Sequence, residues 1–243
     1  MTHDWLQLLI PLFVVAALYG TVGHGGASGY LAVMALAGLA PAVMKPTALT
    51  LNLGVSLIAT VLFVRAGHFV WRLFWPFALT AIPFAFIGGR LALPPPMFKI
   101  LLVLALGFAA LRLVAPAPQQ TEARPLPLDW ALALGAIMGL VSGLIGVGGG
   151  IFLTPLLLLL GWAQPKSAAA VSAPFIFVNS AAGLLGHSDS LEHLPPSWPW
   201  LALGVIAGGW IGAHWGSITA RSAQLRPALA VVLAIACIKL VAG

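Results

Sequence analysis

The chain has 243 residues, of which 61% are hydrophobic and only 7% are charged. A soluble globular protein carries roughly 25% charged residues, so this composition excludes a water-soluble domain and indicates a multi-pass membrane protein. The net charge of +6 does not indicate a nucleic-acid partner, because the basic residues are scattered singly along predicted loops. The single cysteine, Cys237, excludes an internal disulfide and a cysteine metal cluster, and we predict neither a metal nor a cofactor.

The first half of the chain begins with an apolar run that a glycine-rich break interrupts. Residues 1–4 lack the basic region of a secretory signal, so we expect the run at 5–22, which is of membrane-spanning length, to be retained. The run at 30–40 is too short for a span of about 20 residues. The break between them reads Gly23-His24-Gly25-Gly26-Ala27-Ser28-Gly29. Further spans are predicted at 47–64, 73–93 and 98–114.

A polar connector, APAPQQTEARPLPL, separates this half from a second half with the same plan. We therefore predict a first repeat at 1–115, a linker at 116–128 and a second repeat at 129–243. The second break is Gly146-Val147-Gly148-Gly149-Gly150. Apolar segments surround it at 129–145, 151–162, 167–185, 198–215 and 225–241. The predicted fold is an all-α bundle of eight to ten hydrophobic segments with two glycine-broken helix pairs.

The register supports a duplication of about 120 residues. Gly23 and Gly146 are 123 positions apart, and Asn52 and Ser172 are 120 positions apart. Residues 5–40 would form a helix of about 54 Å, against a hydrocarbon core of about 30 Å. Each half then has five hydrophobic pieces, or its first two pieces form a pair that dips into the membrane and returns. In both cases we expect each half to cross the membrane an odd number of times, which makes the repeats inverted. If the break were only a kink, each half would cross four times and the repeats would be parallel.

The loop charges agree with this topology. With the loop at 186–197 outside, seven basic residues lie inside and four lie outside. The inner set is Arg65, Arg72, Arg112, Arg124, Lys166, Arg221 and Arg226, and the outer set is Lys45, Arg90, Lys99 and Lys239. Both chain ends then face outward. Lys45 and Lys166 are expected at the membrane surface.

The two glycine breaks predict a binding site for an anion. A helix that begins after a break presents unpaired N–H groups and a positive dipole end, and glycine lets an oxyanion approach the backbone. Broken helices in corresponding positions of two halves are typical of transporter binding sites. The predicted substrate-binding residues are Gly23, His24, Gly25, Gly26, Asn52, Gly146, Gly148, Gly149, Gly150 and Ser172.

The motif GLIGVGGGIFLTPLLLLLGWAQPKSAAAVS and its weaker first copy, GTVGHGGASGYLAVMALAGLAPAVMKPTALTLN, resemble the sulfite exporter TauE/SafE family of bacterial membrane transporters. The resemblance covers essentially the whole chain. It implies a small sulfur-containing anion as substrate (sulfite, thiosulfate or an organosulfonate), a location in the bacterial inner membrane, and no enzymatic activity. The direction of transport, the coupling ion and a homo-oligomeric state stay open.

Other interpretations remain at this stage. The glycines could serve close helix packing only, and the chain could be a passive anion channel. Gly26-Ala27-Ser28-Gly29 also matches the Gly-x-Ser-Gly pattern of rhomboid intramembrane serine proteases, in which Ser28 would be the nucleophile. Such a serine needs a base within about 3 Å, and the candidate histidines fall in loops or near span ends. They are His68, His187, His193 and His214.

Overall fold

The computed structural model describes residues 5–114, 123–218 and 226–242. Within these ranges the chain is helical and contains no strand. The larger part of the predicted linker and Arg221 lie outside the described residues, as does the side chain of Arg226. The helices are α1 (Leu9–Gly20, after a 3-10 turn at Trp5–Leu8), α2 (Ala27–Leu36), α3 (Pro41–Arg65), α4 (Trp71–Arg90), α5 (Pro95–Val114), α6 (Leu128–Ile145), α7 (Gly150–Leu159), α8 (Pro165–Gly186), α9 (Trp198–Ile218) and α10 (Arg226–Ala242), with a 3-10 turn at Ser188–His193 between α8 and α9.

Six of the described helices are long and apolar enough to cross a membrane: α3, α4, α5, α6, α8 and α9. The prediction of an all-α polytopic membrane protein is therefore confirmed. The run at 5–22 does not form one helix of spanning length, because α1 has only 12 residues and follows a 3-10 turn of four, and this favours the alternative of a pair that dips into the membrane and returns. The helix α1 stops at Gly20, where Gly23 takes a φ of +71° and the His24 N–H bonds the Tyr19 carbonyl at 3.0 Å. This is a Schellman ending, which closes a helix at a left-handed glycine.

Left-handed glycines recur at the same spacing in the two halves. Three pairs have positive φ and are 123 positions apart: Gly23 and Gly146, Gly26 and Gly149, and Gly38 and Gly161. The turns also match, since the Val147 N–H bonds the Ser142 carbonyl at 3.3 Å, five residues back, as in the first half. The backbone thus repeats the sequence register of the breaks, which favours the predicted duplication.

Helices of one half pack against helices of the other: α1 packs along α9, and α6 packs along α4. Gly212 on α9 lies against the Ala17 carbonyl of α1, and Gly208 lies against Phe13, so these two helices run in the same direction. The helices α4 and α6 also run in the same direction. Gly139 of α6 lies against Ala81 of α4, and one turn later Gly143 lies against Ala85. An added Cβ at these glycines would meet backbone, which is the close approach that small residues permit in membranes.

The corresponding helices α3 and α8 pack in opposite directions. Asn52 on α3 bonds Ser180 on α8, whereas Leu49, earlier on α3, lies against Gly183, later on α8. Two equivalent helices that pack antiparallel are what inverted repeats produce. These contacts favour the inverted interpretation over the parallel one, with α3 and α8 at the centre of the bundle.

Candidate functional site

The first glycine break turns the chain back toward the side from which it came. In the first half, Ser28 Oγ donates to the Tyr19 hydroxyl at 2.9 Å and Gly29 lies against Val15, so α2 returns along α1. The arrangement is a pair of short helices that enters the bundle and returns. Left-handed glycines make this turn possible because they adopt a positive φ without steric penalty.

The two breaks meet at the middle of the bundle. Gly25 and Gly148 both lie against the side chains of Asn52 and Ile176, and Gly150 lies against Ile176 and near His24 Cδ2. Asn52 is the twelfth residue of α3 and Ile176 is the twelfth residue of α8, which places both near the centres of spanning helices of 25 and 22 residues. The two breaks therefore meet at the middle of α3 and α8, and their depth in the bilayer stays a prediction.

The helices α2 and α7 both begin at this meeting point. Each follows a left-handed N-cap glycine, Gly26 or Gly149, and neither has a side-chain hydrogen bond at its N-cap. The Tyr30 N–H donates to the Gly26 carbonyl, and the Phe152 and Leu153 N–H groups donate to the Gly149 carbonyl. The N–H groups of the first turn have no partner within the helix and point beyond its N-terminal end, as at any helix start. Two such turns give the site a positive potential of roughly half a unit charge each.

Polar side chains surround the breaks on both sides. Asn52 is fully buried; its Nδ2 donates to Ser180 Oγ at 2.9 Å, and its Oδ1 has no hydrogen-bond partner. Ser142 Oγ is also buried without a partner and is 3.5 Å from the position of an added Cβ on Gly149. Ser142 Oγ could donate a hydrogen bond to an incoming anion, whereas Asn52 Oδ1 can only accept and needs a donor.

His24 and Tyr30 complete the first break. His24 is 8% exposed, its Nδ1 is 2.9 Å from the Val22 carbonyl, and its ring meets Tyr19 edge-on at 6.2 Å. Tyr30 reaches back over Gly26 and donates to the Gly25 carbonyl at 2.6 Å. The predicted site residues include His24 but not Tyr30, Ser142 or Ser180. A polar residue in a span next to a break is a weak signal, and Ser142, four residues before Gly146, fits it.

The predicted equivalence of Asn52 and Ser172 needs correction. Ile176 takes the place that corresponds to Asn52, since these two side chains contact the same glycines from opposite sides. Ser172 lies one turn earlier on α8, where its Oγ accepts a hydrogen bond from Thr154 Oγ1 of α7 at 2.6 Å. Ser172 therefore links α8 to the second turn of α7 rather than facing the break.

The expectation of a surface position for Lys45 is wrong, although Lys166 is exposed. Lys45 is only 4% exposed, and its Nζ donates to the Gly89 carbonyl at 3.2 Å. The side chain is buried because the C-terminal end of α4 and the second break close over the first turns of α3. The protein thus holds a lysine ammonium group inside the helix bundle.

The geometry at Ser28 does not match that of a protease nucleophile. Ser28 is fully buried, and its hydroxyl donates to a tyrosine hydroxyl rather than to an imidazole. A serine nucleophile requires a base within hydrogen-bond reach. Ser28 instead holds α2 against α1.

The fold and the site define a polytopic α-helical membrane protein with two helix breaks that meet in its centre. The chain belongs to the sulfite exporter TauE/SafE family, whose model matches residues 8–240; the predicted resemblance is confirmed, and the chain is a member of a family of membrane transporters.

Two relatives bear names that agree with this class. The chain is 40% identical over 245 residues to "Probable membrane transporter protein y4hK" of Sinorhizobium fredii, with 99% of each chain covered. It is 34% identical over 96 residues to "Probable membrane transporter protein YunE" of Bacillus subtilis, with 39% of this chain and 33% of the relative covered. No solved structure matches the chain.

Proposed function

We propose that this protein is a secondary transporter that moves a small sulfur-containing anion, such as sulfite, thiosulfate or an organosulfonate, across the bacterial inner membrane. The anion binds between the two glycine breaks. Backbone N–H groups near Gly25, Gly26, Gly149 and Gly150 are its main donors. The substrate class comes from the family resemblance, and the location of the site comes from the breaks.

One observation carries the proposal: two helices begin at left-handed glycines and meet at the centres of α3 and α8. Helix starts attract anions because N–H groups and the dipole act together. The side chains of Asn52 and His24 add to this. The Asn52 amide has a second N–H beyond the one bonded to Ser180, and His24 supplies a further donor when its ring is protonated.

The contacts around the breaks also suggest how the site opens. Gly25 and Gly148 are packed directly against Asn52 and Ile176, so an anion needs α3 and α8 to separate around the breaks. In transporters with inverted repeats, such movement alternates between the two membrane faces around a fixed site. The antiparallel contact of α3 with α8 provides the interface on which this movement takes place.

A binding screen on the purified protein tests the proposal. Thermal melting in detergent is measured with sulfite, thiosulfate, sulfate, taurine and sulfoacetate, since a ligand that binds the folded state raises the melting temperature by mass action. We expect at least one sulfur anion to shift the melting curve with saturation. An unchanged curve with every anion, in a monodisperse preparation, would refute the proposed substrate class.

Flux measurements separate a transporter from a passive channel. In proteoliposomes, a carrier gives uptake that saturates with anion concentration and is accelerated by the same anion on the opposite side. Uptake that rises linearly and shows no such acceleration would instead indicate a channel.

A further inference from the structure

Lys45 lies at a junction between α3, α4 and the second glycine break. It is the fifth residue of α3, its Nζ bonds the Gly89 carbonyl near the end of α4, and its Cγ is 3.0 Å from the position of an added Cβ on Gly146. The side chain is therefore packed against the turn that ends α6. This contact links a buried basic group directly to the backbone of the proposed site.

The ammonium group has no carboxylate partner within the part of the chain that the structure describes. An ammonium has three donors, and one of them is used by the Gly89 carbonyl. The acidic side chains described at helix ends, Asp129 and Glu192, are exposed. A buried cation without an anion is costly in a membrane protein, and such residues usually serve substrates or ions.

Lys45 also shares a helix face with the centre of the site. Positions 45, 49 and 52 follow the i, i+4, i+7 spacing that places side chains on one side of a helix. Along this face Leu49 contacts Gly183 and Asn52 bonds Ser180. The face therefore leads along the α3–α8 interface from the end where α3 begins to the two breaks.

We propose that Lys45 is the positively charged binding residue for the transported anion, on the approach between the start of α3 and the glycine breaks. The ammonium bonds the Gly89 carbonyl while the site is packed shut. It contacts the anion when α3 and α8 separate. This inference rests on the proposed function and adds to it a side chain with a full positive charge, whereas each helix start contributes only about half a unit.

The corresponding position of the second half carries no charge. Gly23 lies against Ala169 in the same way that Gly146 lies against Lys45. Among the described residues that contact the glycine breaks in this way, Lys45 alone therefore brings a fixed cation. Because an alanine occupies the corresponding position in the second half, we expect the Lys45→Ala protein to fold.

A structural role for Lys45 gives a different expectation. Lysine side chains can bond the last carbonyls of a helix and stabilise its C-terminal end, and the Gly89 carbonyl lies there in α4. If this were the whole role, a neutral variant would melt at a lower temperature but would bind anions with unchanged affinity. Affinity and melting temperature must therefore be measured on the same preparations.

The test uses thiosulfate as a doubly charged probe and taurine as a probe without net charge. In Lys45→Met, which keeps the apolar stem, we expect thiosulfate affinity to fall about ten- to a hundred-fold, as for a lost hydrogen bond to a charged group. Taurine affinity should fall less. Lys45→Arg, which keeps the charge, should retain most of the affinity, and Lys166→Met, on an exposed lysine, should bind like the wild type.

Unchanged thiosulfate affinity in a monodisperse Lys45→Met protein would overturn the inference while leaving the proposed function intact. If the wild type binds none of the sulfur anions, the proposed function itself fails. Should Lys45→Met aggregate, Lys45→Ala replaces it.

A labelling experiment on the wild type needs no variant. Bound thiosulfate should slow the acetylation of Lys45, measured by mass spectrometry, and should leave the acetylation of Lys166 unchanged. An acetylation rate at Lys45 that thiosulfate does not change would contradict the inference.

Discussion

The substitution Gly150→Ala probes the site with a single added methyl group. Gly150 is the first residue of α7, and its φ is not positive, so alanine suits the backbone there. The new Cβ would overlap the outer atoms of the Ile176 side chain and lie 3.6 Å from His24 Cδ2. The methyl group would therefore stand between the second break, α8 and His24.

The expected stability change is the balance of two opposing effects. Ile176 must move aside, at the cost of about 1–3 kcal/mol that an added methyl group has in a packed core. Replacing glycine by alanine in a helix gains up to about 1 kcal/mol. The free energy of unfolding should thus fall by no more than about 3 kcal/mol. Anion affinity should fall at least about tenfold, or 1.4 kcal/mol, because the methyl group and the displaced isoleucine occupy the approach to the N–H groups.

Thermal melting and anion titration of the same detergent preparation measure the two quantities. Gly107→Ala in α5 is the matched control, since an added Cβ there meets nothing within 4 Å, and both quantities should stay near those of the wild type. The double variant Gly150→Ala/Ile176→Val removes one of the overlapping atoms and should recover part of the affinity. Wild-type affinity in a stable Gly150→Ala protein would move the anion site away from the breaks.

Four further outcomes are expected. Gly139→Ala should destabilise the protein by about 1–3 kcal/mol in thermal melting, because the new Cβ would meet the backbone of Ala81; a melting temperature equal to that of Gly107→Ala would contradict the packing of α4 on α6. Ser28→Ala should keep anion transport in proteoliposomes and lose only the bond to Tyr19, about 0.5–1.5 kcal/mol, whereas loss of all activity would restore the protease interpretation. Asn52→Ala should lower both anion affinity and melting temperature, and an effect on melting temperature alone would restrict Asn52 to joining α3 and α8. Single cysteines placed at the two chain ends should be labelled from the same side of the membrane, and labelling from opposite sides would refute inverted repeats.

The glycine breaks could be predicted because they leave a strong signal in the sequence. Clusters of glycine interrupt apolar runs twice, at a spacing of 123 residues, and the same spacing recurs in the left-handed backbone positions. Asn52 was also predicted, and it contacts the breaks. The sequence is informative at these positions because the local run of glycines determines the backbone there.

The pairing of Asn52 with Ser172 failed for a geometric reason. Ser172 and Ile176 are four residues apart, which keeps them on one face of a helix. Sequence patterning cannot distinguish the two registers, and the similarity of small polar side chains favoured the wrong one. The correct register emerges only when α8 is packed against both breaks.

Lys45 was misplaced because distant parts of the chain bury it. A lysine beside Pro46 at the start of a helix resembles an interfacial anchor. Its burial depends on Gly89 and Gly146, which belong to other helices. No local pattern around residue 45 contains this information.

The exchange of partners between the halves also constrains how the protein is made. α1 packs along α9, which is synthesised almost at the end of the chain. At roughly 5–20 residues per second, α1 and α2 spend on the order of ten seconds or more in the membrane before that partner exists. Their break then has backbone groups that only other helices can shield from lipid. The boundary between the repeats is consequently not a boundary between folding units, and neither half completes its structure until the ribosome has delivered both.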